Sequence, residues 1–201
     1  MGYQREHIVT FRLIEKKLVK KMPVLKEELQ KIPGVKQVAS STNLPNYISS
    51  STVARWPGKP EELEWSIYDG RVDDDFINLY DIEIVEGRNF SKELDRPGKA
   101  VLINESAARA LGWDNPLGRE LCNWRDTARI VGIMKDFHQH SLHQAIMPLQ
   151  LFLSDKEWYL SVRVSGEDIP QTLAEIRNTK ESFSNIYPFN YTFFEDEFGN
   201  A

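Results

Sequence analysis

One cysteine, Cys122, stands in 201 residues, so no internal disulfide staples this chain, and cysteine usage points to no compartment. No apolar run approaches the ~18 to 20 residues that a membrane helix needs, and no signal peptide precedes Tyr3. The abrupt start and end lead us to expect a piece of something larger. The formal charge is −5 with no dominant basic stripe, which excludes a nucleic-acid footprint. Neither Gly-x-Gly-x-x-Gly nor Gly-x-x-x-x-Gly-Lys-Ser/Thr occurs, which excludes nucleotide sites of the common kinds. There is no Gly-x-Ser-x-Gly elbow and no EF-hand spacing. There is also no low-complexity tract and no internal repeat beyond the echo between the chain ends noted below.

What remains is an ordinary globular composition, 41% hydrophobic and 27% charged, long enough for one large domain or two small ones. The densest patterning runs from Gly98 to Leu153. Val101 to Ile103 reads as a buried strand, Asn104 as the N-cap of a helix through Ala107, Ala108, Ala110 and Leu111, and Gly112 as its left-handed stop. Arg129 to Met134 is a second β-branched run.

Before this segment, His7 to Phe11 reads as a strand. Leu18, Met22, Leu25 and Leu29 mark one helix face, with Pro23 either kinking that helix or opening a new one. Val35 to Ser40 alternates, placing Val35, Gln37 and Ala39 on one side. The first forty residues thus read β-α-β. A polar stretch from Ser40 to Thr52 suggests a crossing between subdomains. Strands are expected over 52–56, 63–69 and 82–87, with Asp73, Asp74 and Asp75 leading a short helix. The last forty residues again read β-α-β: a strand over 158–164, a helix from Pro170 carrying Leu173, Ile176 and Phe183, and a strand over 189–194. Two such ends around a β-rich middle predict an α+β chain with an inserted subdomain.

The chain has one cluster of ligand-type residues, Asp136, His138, His140 and His143. On extended backbone the first three share a face, and imidazole with carboxylate suits zinc or copper, which makes a small metal-dependent hydrolase the enzymatic alternative. The bland reading is a polar loop, leaving no catalytic, cofactor or metal residue. The run Glu15-Lys16-Lys17-Leu18-Val19-Lys20-Lys21 reads as a solvated helix face, or more sharply as a contact for anionic lipid. A ligand-binding sensor domain is a third reading and calls for a closed apolar pocket.

Taken in order, several segments resemble one family: Gly2-Tyr3-Gln4-Arg5-Glu6-His7-Ile8-Val9, Ile32-Pro33-Gly34-Val35, Val72-Asp73-Asp74-Asp75-Phe76 and Glu86-Gly87-Arg88-Asn89-Phe90. They continue with Val101-Leu102-Ile103-Asn104-Glu105-Ser106-Ala107-Ala108, Gly112-Trp113, Pro116-Leu117-Gly118, Ile130-Val131-Gly132-Ile133, Lys135-Asp136-Phe137-His138 and Ser141-Leu142-His143. The chain is similar over nearly its whole length to the extracytoplasmic MacB-like periplasmic core domain of FtsX-like ABC transporter permeases. The likeness is to Bacteroidetes-type members described as antimicrobial-peptide or macrolide exporters.

That resemblance implies a porter-like subdomain from residues 1–50 and 154–201 and an inserted Sabre-like subdomain over 51–153. It implies membrane helices before Tyr3 and after Phe198, a location outside the cytoplasmic membrane, and a non-catalytic domain without cofactors. The expected partners are a cytoplasmic ATPase, a second permease copy and a periplasmic or outer-membrane protein. The domain would relay ATP-driven helix movement to that side. Both chain ends should then lie on one face, and, if the inserted subdomain meets a partner, its surface between Thr52 and Trp124 should carry an exposed aromatic or apolar patch.

Overall fold

The computed structural model describes residues 2–60, 62, 65–123, 126–139, 145–155 and 157–196. In chain order the elements are β1 (Ile8–Arg12), α1 (Lys16–Val19), α2 (Met22–Gln30), β2 (Val35–Ser41), β3 (Ser51–Val53), β4 (Ser66–Val72), α3 (Phe76–Leu79) and β5 (Ile84–Gly87). They continue with β6 (Ala100–Asn104), α4 (Glu105–Leu111), β7 (Glu120–Cys122), β8 (Thr127–Met134), β9 (Leu149–Leu153), β10 (Tyr159–Val164), α5 (Ile169–Phe183) and β11 (Thr192–Phe193). The described strands form one mixed sheet in the order β11-β1-β10-β2-β4-β9-β6-β8-β5, with β3 on β4 and β7 on β8. The class is α+β.

The head and tail of the chain pair directly. β1 and β11 are antiparallel, Val9 opposite Phe193 and Thr10 opposite Thr192, and the Phe194 amide donates to the Ile8 carbonyl at 2.8 Å. An antiparallel pair sends the segment before β1 and the segment after β11 out at the same end of the sheet. Tyr3 accordingly meets Phe194, ring centroids 5.9 Å apart. Pro23 does not kink a helix: it sits in the first turn of α2, where its missing N–H costs nothing. α2 buries Met22, Leu25 and Leu29 completely, a contribution of about 1.5–3 kcal/mol per side chain. They pack with Val9, Phe11, Val38, Leu160, Val162 and Ile176 in a core drawn only from the two chain ends.

The middle of the chain has a core of its own, in which Ile67, Val101, Ile103, Leu121, Ile130 and Phe152 meet. Period-two alternation selects its members, since Leu102 and Leu151 point instead into a third core. The edge of β3 turns toward β7, where Arg55 bridges Cys122 and the Cys122 amide donates to the Arg55 carbonyl at 2.8 Å. Strands β4, β9, β6, β8, β7 and β3 therefore follow one another round a circuit that the Arg55–Cys122 bridge brings together. The third core, with Ile8, Ala39, Val72, Phe76, Tyr80, Leu102, Leu151 and Phe194, joins ends and middle. Between β2 and β4 the ladder holds a single register pair, Ser41 with Val72.

Two local expectations are corrected. Val35 and Ala39 do not share a face: the register shifts opposite Arg163 and Val164, so Val35 joins Val38 in the chain-end core while Ala39 faces the joining core. A bulge of this kind inverts alternation on one side of itself. The aromatic or apolar patch over 52–124 is also not found among the described residues, where the exposed large apolar side chains are Val85 and Leu94 alone. Trp56, Trp65 and Trp113 are half-buried against the middle core, Trp56 and Trp113 edge to face at 5.3 Å. Most of the exposed large apolar side chains lie elsewhere, among them Ile14, Tyr47, Trp158, Ile186, Tyr187 and Tyr191.

Candidate functional site

β4 and β9 run parallel and end together, Val72 beside Leu153. A crevice opens outside the carboxyl ends of such a pair, and here α2 covers one side of it. The resulting cleft has a volume of about 700 Å³, with Pro23, Lys26 and Glu27 on one wall and Asp73 to Asp75, Lys92, Asp95 and Leu153 around the other. That volume is in the range of small-molecule sites. It lies where a helix from the chain ends faces loops of the middle segment.

Lys26 ties the two walls. Its ammonium donates to Asp73 and, at 3.0 Å, to Asp75 Oδ2. Asp73 is 4% exposed and accepts further bonds from the Ser40 amide at 2.7 Å and the Ser40 hydroxyl at 3.0 Å. Burial pushes the Asp73 carboxyl up, and Lys26 opposes it. Burial acts on Lys26 toward a lower value, but Asp73 and Asp75 outweigh it and hold the ammonium above the ordinary lysine range. On the rim, the well-exposed Lys92 reaches Asp74 at 3.4 Å and Asp75 at 3.5 Å, loose contacts in water-like surroundings. The three aspartates lead into α3 as expected, yet no side chain caps that helix. Asp73 and Asp75 are turned to Lys26 instead.

A second charged tie crosses at Arg71. Its guanidinium donates to Asp126 Oδ2 at 2.8 Å and to Glu157 Oε1 at 3.1 Å, the latter from the approach to β10. Nearby, Asp69 is 8% exposed and accepts from Gln150 Nε2 at 3.0 Å. Burial pushes its carboxyl up to about 6, against the pull of Gln150 and Arg71. The sequence reading missed Lys26, Arg71 and Asp69, because a lysine on a helix and an acid on a strand carry no spacing signal.

Asp136 is committed to structure. Its carboxylate accepts from the Ser106 amide at 2.9 Å, the Ser106 hydroxyl at 2.8 Å and Arg109 Nη2 at 2.7 Å, and its own amide donates to Glu105 Oε2 at 2.9 Å. It fastens the first turn of α4 to the end of β8. His138 is half-buried beyond that strand, and His140 and His143 lie outside the described residues. Among the described residues, no three His, Cys, Asp or Glu side chains are grouped to hold a metal ion, and no helix is long and apolar enough to cross a membrane.

Several known proteins share this fold. The periplasmic region of MacB from Actinobacillus actinomycetemcomitans superposes with a TM-score of 0.68 at 13% identity, over 96% of this chain and 92% of that one. The extracellular domain of the noncanonic ABC-type transporter YknZ from Gram-positive bacteria gives 0.64 at 17% identity, over 92% and 97%. A domain of a permease protein from Porphyromonas gingivalis gives 0.61 at 18% identity, over 93% and 94%. At such identities the likeness establishes the fold. No curated protein sequence matches the chain. The family model for the MacB-like periplasmic core domain matches residues 11–179. The chain therefore belongs to the MacB-like periplasmic core domain family, the part of an ABC transporter permease that lies outside the cytoplasm.

Proposed function

We propose that this domain is a non-catalytic mechanical relay. In this reading residues 1–50 and 154–201 form a porter-like subdomain whose two ends continue into neighbouring membrane helices. Residues 51–153 form a Sabre-like subdomain that follows their movement. A cytoplasmic ATPase drives those helices, two permease copies work together, and a periplasmic or outer-membrane protein receives the motion or the cargo. The cargo is of the antimicrobial-peptide or macrolide type.

The observation that carries this reading is the β1–β11 pair, which brings head and tail out side by side. Two adjacent membrane helices, about 10 Å apart when packed, join such a pair without crossing the domain. Movement applied there reaches the middle segment through the shared core around Ile8, Tyr80 and Phe194, the short β2–β4 contact, and the ties of Lys26 to Asp73 and Arg71 to Glu157. With a packed core shared between the two parts, their relative movement is a small shear of packed elements.

Excision of residues 51–153 from the full permease, with a short linker in their place, tests the proposal. Transport, read as resistance to the exported compound, should vanish while ATP hydrolysis in the membrane stays measurable. Transport at the parental level refutes the relay.

A further inference from the structure

At the end of the sheet opposite the emerging chain ends, β1 finishes at Arg12 and the chain turns through Ile14 and Glu15 into α1. A second cavity of about 170 Å³ lies there, lined by Arg12, Ile14, Leu18, Lys180, Tyr187 and Asn190, with Glu15 on its wall. Lys180 is 5% exposed. Of its three N–H donors one goes to the Tyr187 carbonyl at 2.6 Å, and it has no ion pair among the described residues. A buried ammonium with spare donors and no direct ion pair is open to a further acceptor. Arg12 lies over the Tyr159 ring, 5.7 Å from its centroid, and likewise has no ion pair among the described residues. Glu15, the carboxylate on this wall, accepts from Ser184 Oγ at 2.6 Å.

Two further features surround the cavity. Lys16, Lys17, Lys20 and Lys21 are all exposed around α1, whose Leu18 points into the cavity wall. Ile14 (62% exposed) and Tyr187 (42%) form an apolar rim, with Ile186 (72%) next to Tyr187 in the chain. The site thus combines a buried cation, an open guanidinium, a basic skirt and apolar contacts.

We propose that this surface docks a partner protein through an acidic side chain set among apolar residues, the carboxylate entering the cavity to meet Lys180 and Arg12. Charge complementarity selects the occupant. The choice of a protein over anionic lipid rests on the relay reading, in which the membrane lies at the other end of the domain.

The test uses the 201-residue domain and an acetylated heptapeptide alternating Glu with Leu, its Gln-for-Glu counterpart, acetate alone, and vesicles of phosphatidylglycerol in phosphatidylcholine. The Glu peptide should bind, with amide NMR shifts centred on Ile14, Leu18, Tyr187 and Asn190. The Gln peptide should bind about tenfold or more weakly. Lys180→Met should cause a comparable loss, although it leaves the basic skirt intact. Arg12→Gln, which leaves the Tyr187 contact untouched, is the second variant and should weaken the same peptide. Equal binding of both peptides, indifference to both substitutions, no binding, or acetate binding as tightly as the peptide each overturns the docking proposal while leaving the relay standing. Recruitment to vesicles without peptide binding overturns the docking proposal and the membrane orientation together.

Discussion

Asp69 allows the energetics of the junction to be measured directly. Its carboxyl is held up from the ordinary 3.8 to about 6, chiefly by burial, so the folded state binds that proton more tightly than the unfolded chain does. The stability associated with this group is complete below the ordinary aspartate value, declines as pH rises through the window from 3.8 to about 6, and is flat above it. Each tenfold in proton affinity is worth about 1.4 kcal/mol, so ionised Asp69 costs the fold about 3 kcal/mol at neutral pH. Asp69→Asn removes that cost and keeps an oxygen to accept from Gln150 Nε2. Urea unfolding of both proteins between pH 3 and 7.5 should give equal stabilities at the acid end. The variant should lead by up to about 3 kcal/mol at pH 7, a gain of about 6–12 °C in Tm for a chain of this size. A difference that does not change with pH, or a variant less stable at pH 7, refutes the assignment of Asp69 as a strained buried acid.

Lys26→Met strips the partner from a buried Asp73 and should destabilise by about 3–5 kcal/mol. Adding Asp73→Asn should recover part of that loss, a coupling that a double-mutant cycle by urea unfolding reads directly. Asn104→Ala should cost about 2 kcal/mol or more in the same assay. Asn104 Oδ1 serves both the Ala107 amide of α4 and the Leu149 amide of β9, and its amide nitrogen donates to the Met147 carbonyl, so more than a helix cap is lost.

Local chemistry was legible in the sequence wherever one residue type has one physical use. Asn104 caps α4 through the Ala107 amide, and Gly112 ends it at φ 63°. Pro23 opens α2, and β1, β2, β10 and α5 lie where periodicity put them. The bulge in β2 was not legible, because Val35-Lys36-Gln37-Val38 fits either register until β10 is beside it. Asp73 and Asp75 read as helix-end charges because their real partner, Lys26, is some fifty residues away and comes near only through the sheet. Asp136 looked like a ligand because a carboxylate near histidines does so in any loop, whereas α4 returns Ser106 and Arg109 to it across thirty residues. The three-residue β7 carries too little pattern to show on its own, and it is what completes the circuit of the middle strands. The expected surface patch failed for a related reason. Trp56, Trp65 and Trp113, spaced singly along the chain, are gathered by the fold onto one core, while Trp158 stays exposed.

The proposed relay requires movement between the chain-end elements and the middle segment across the cleft beside Lys26. Glu27 and Lys92 face that cleft from opposite walls and neither is needed for the buried ion pair. In a full permease carrying Cys122→Ser, Glu27→Cys and Lys92→Cys, a reducible bis-maleimide should join the walls. The cross-linked permease should lose transport, retain ATP hydrolysis and regain transport once the linker is cleaved. Transport that continues unchanged with the cleft clamped would contradict the account.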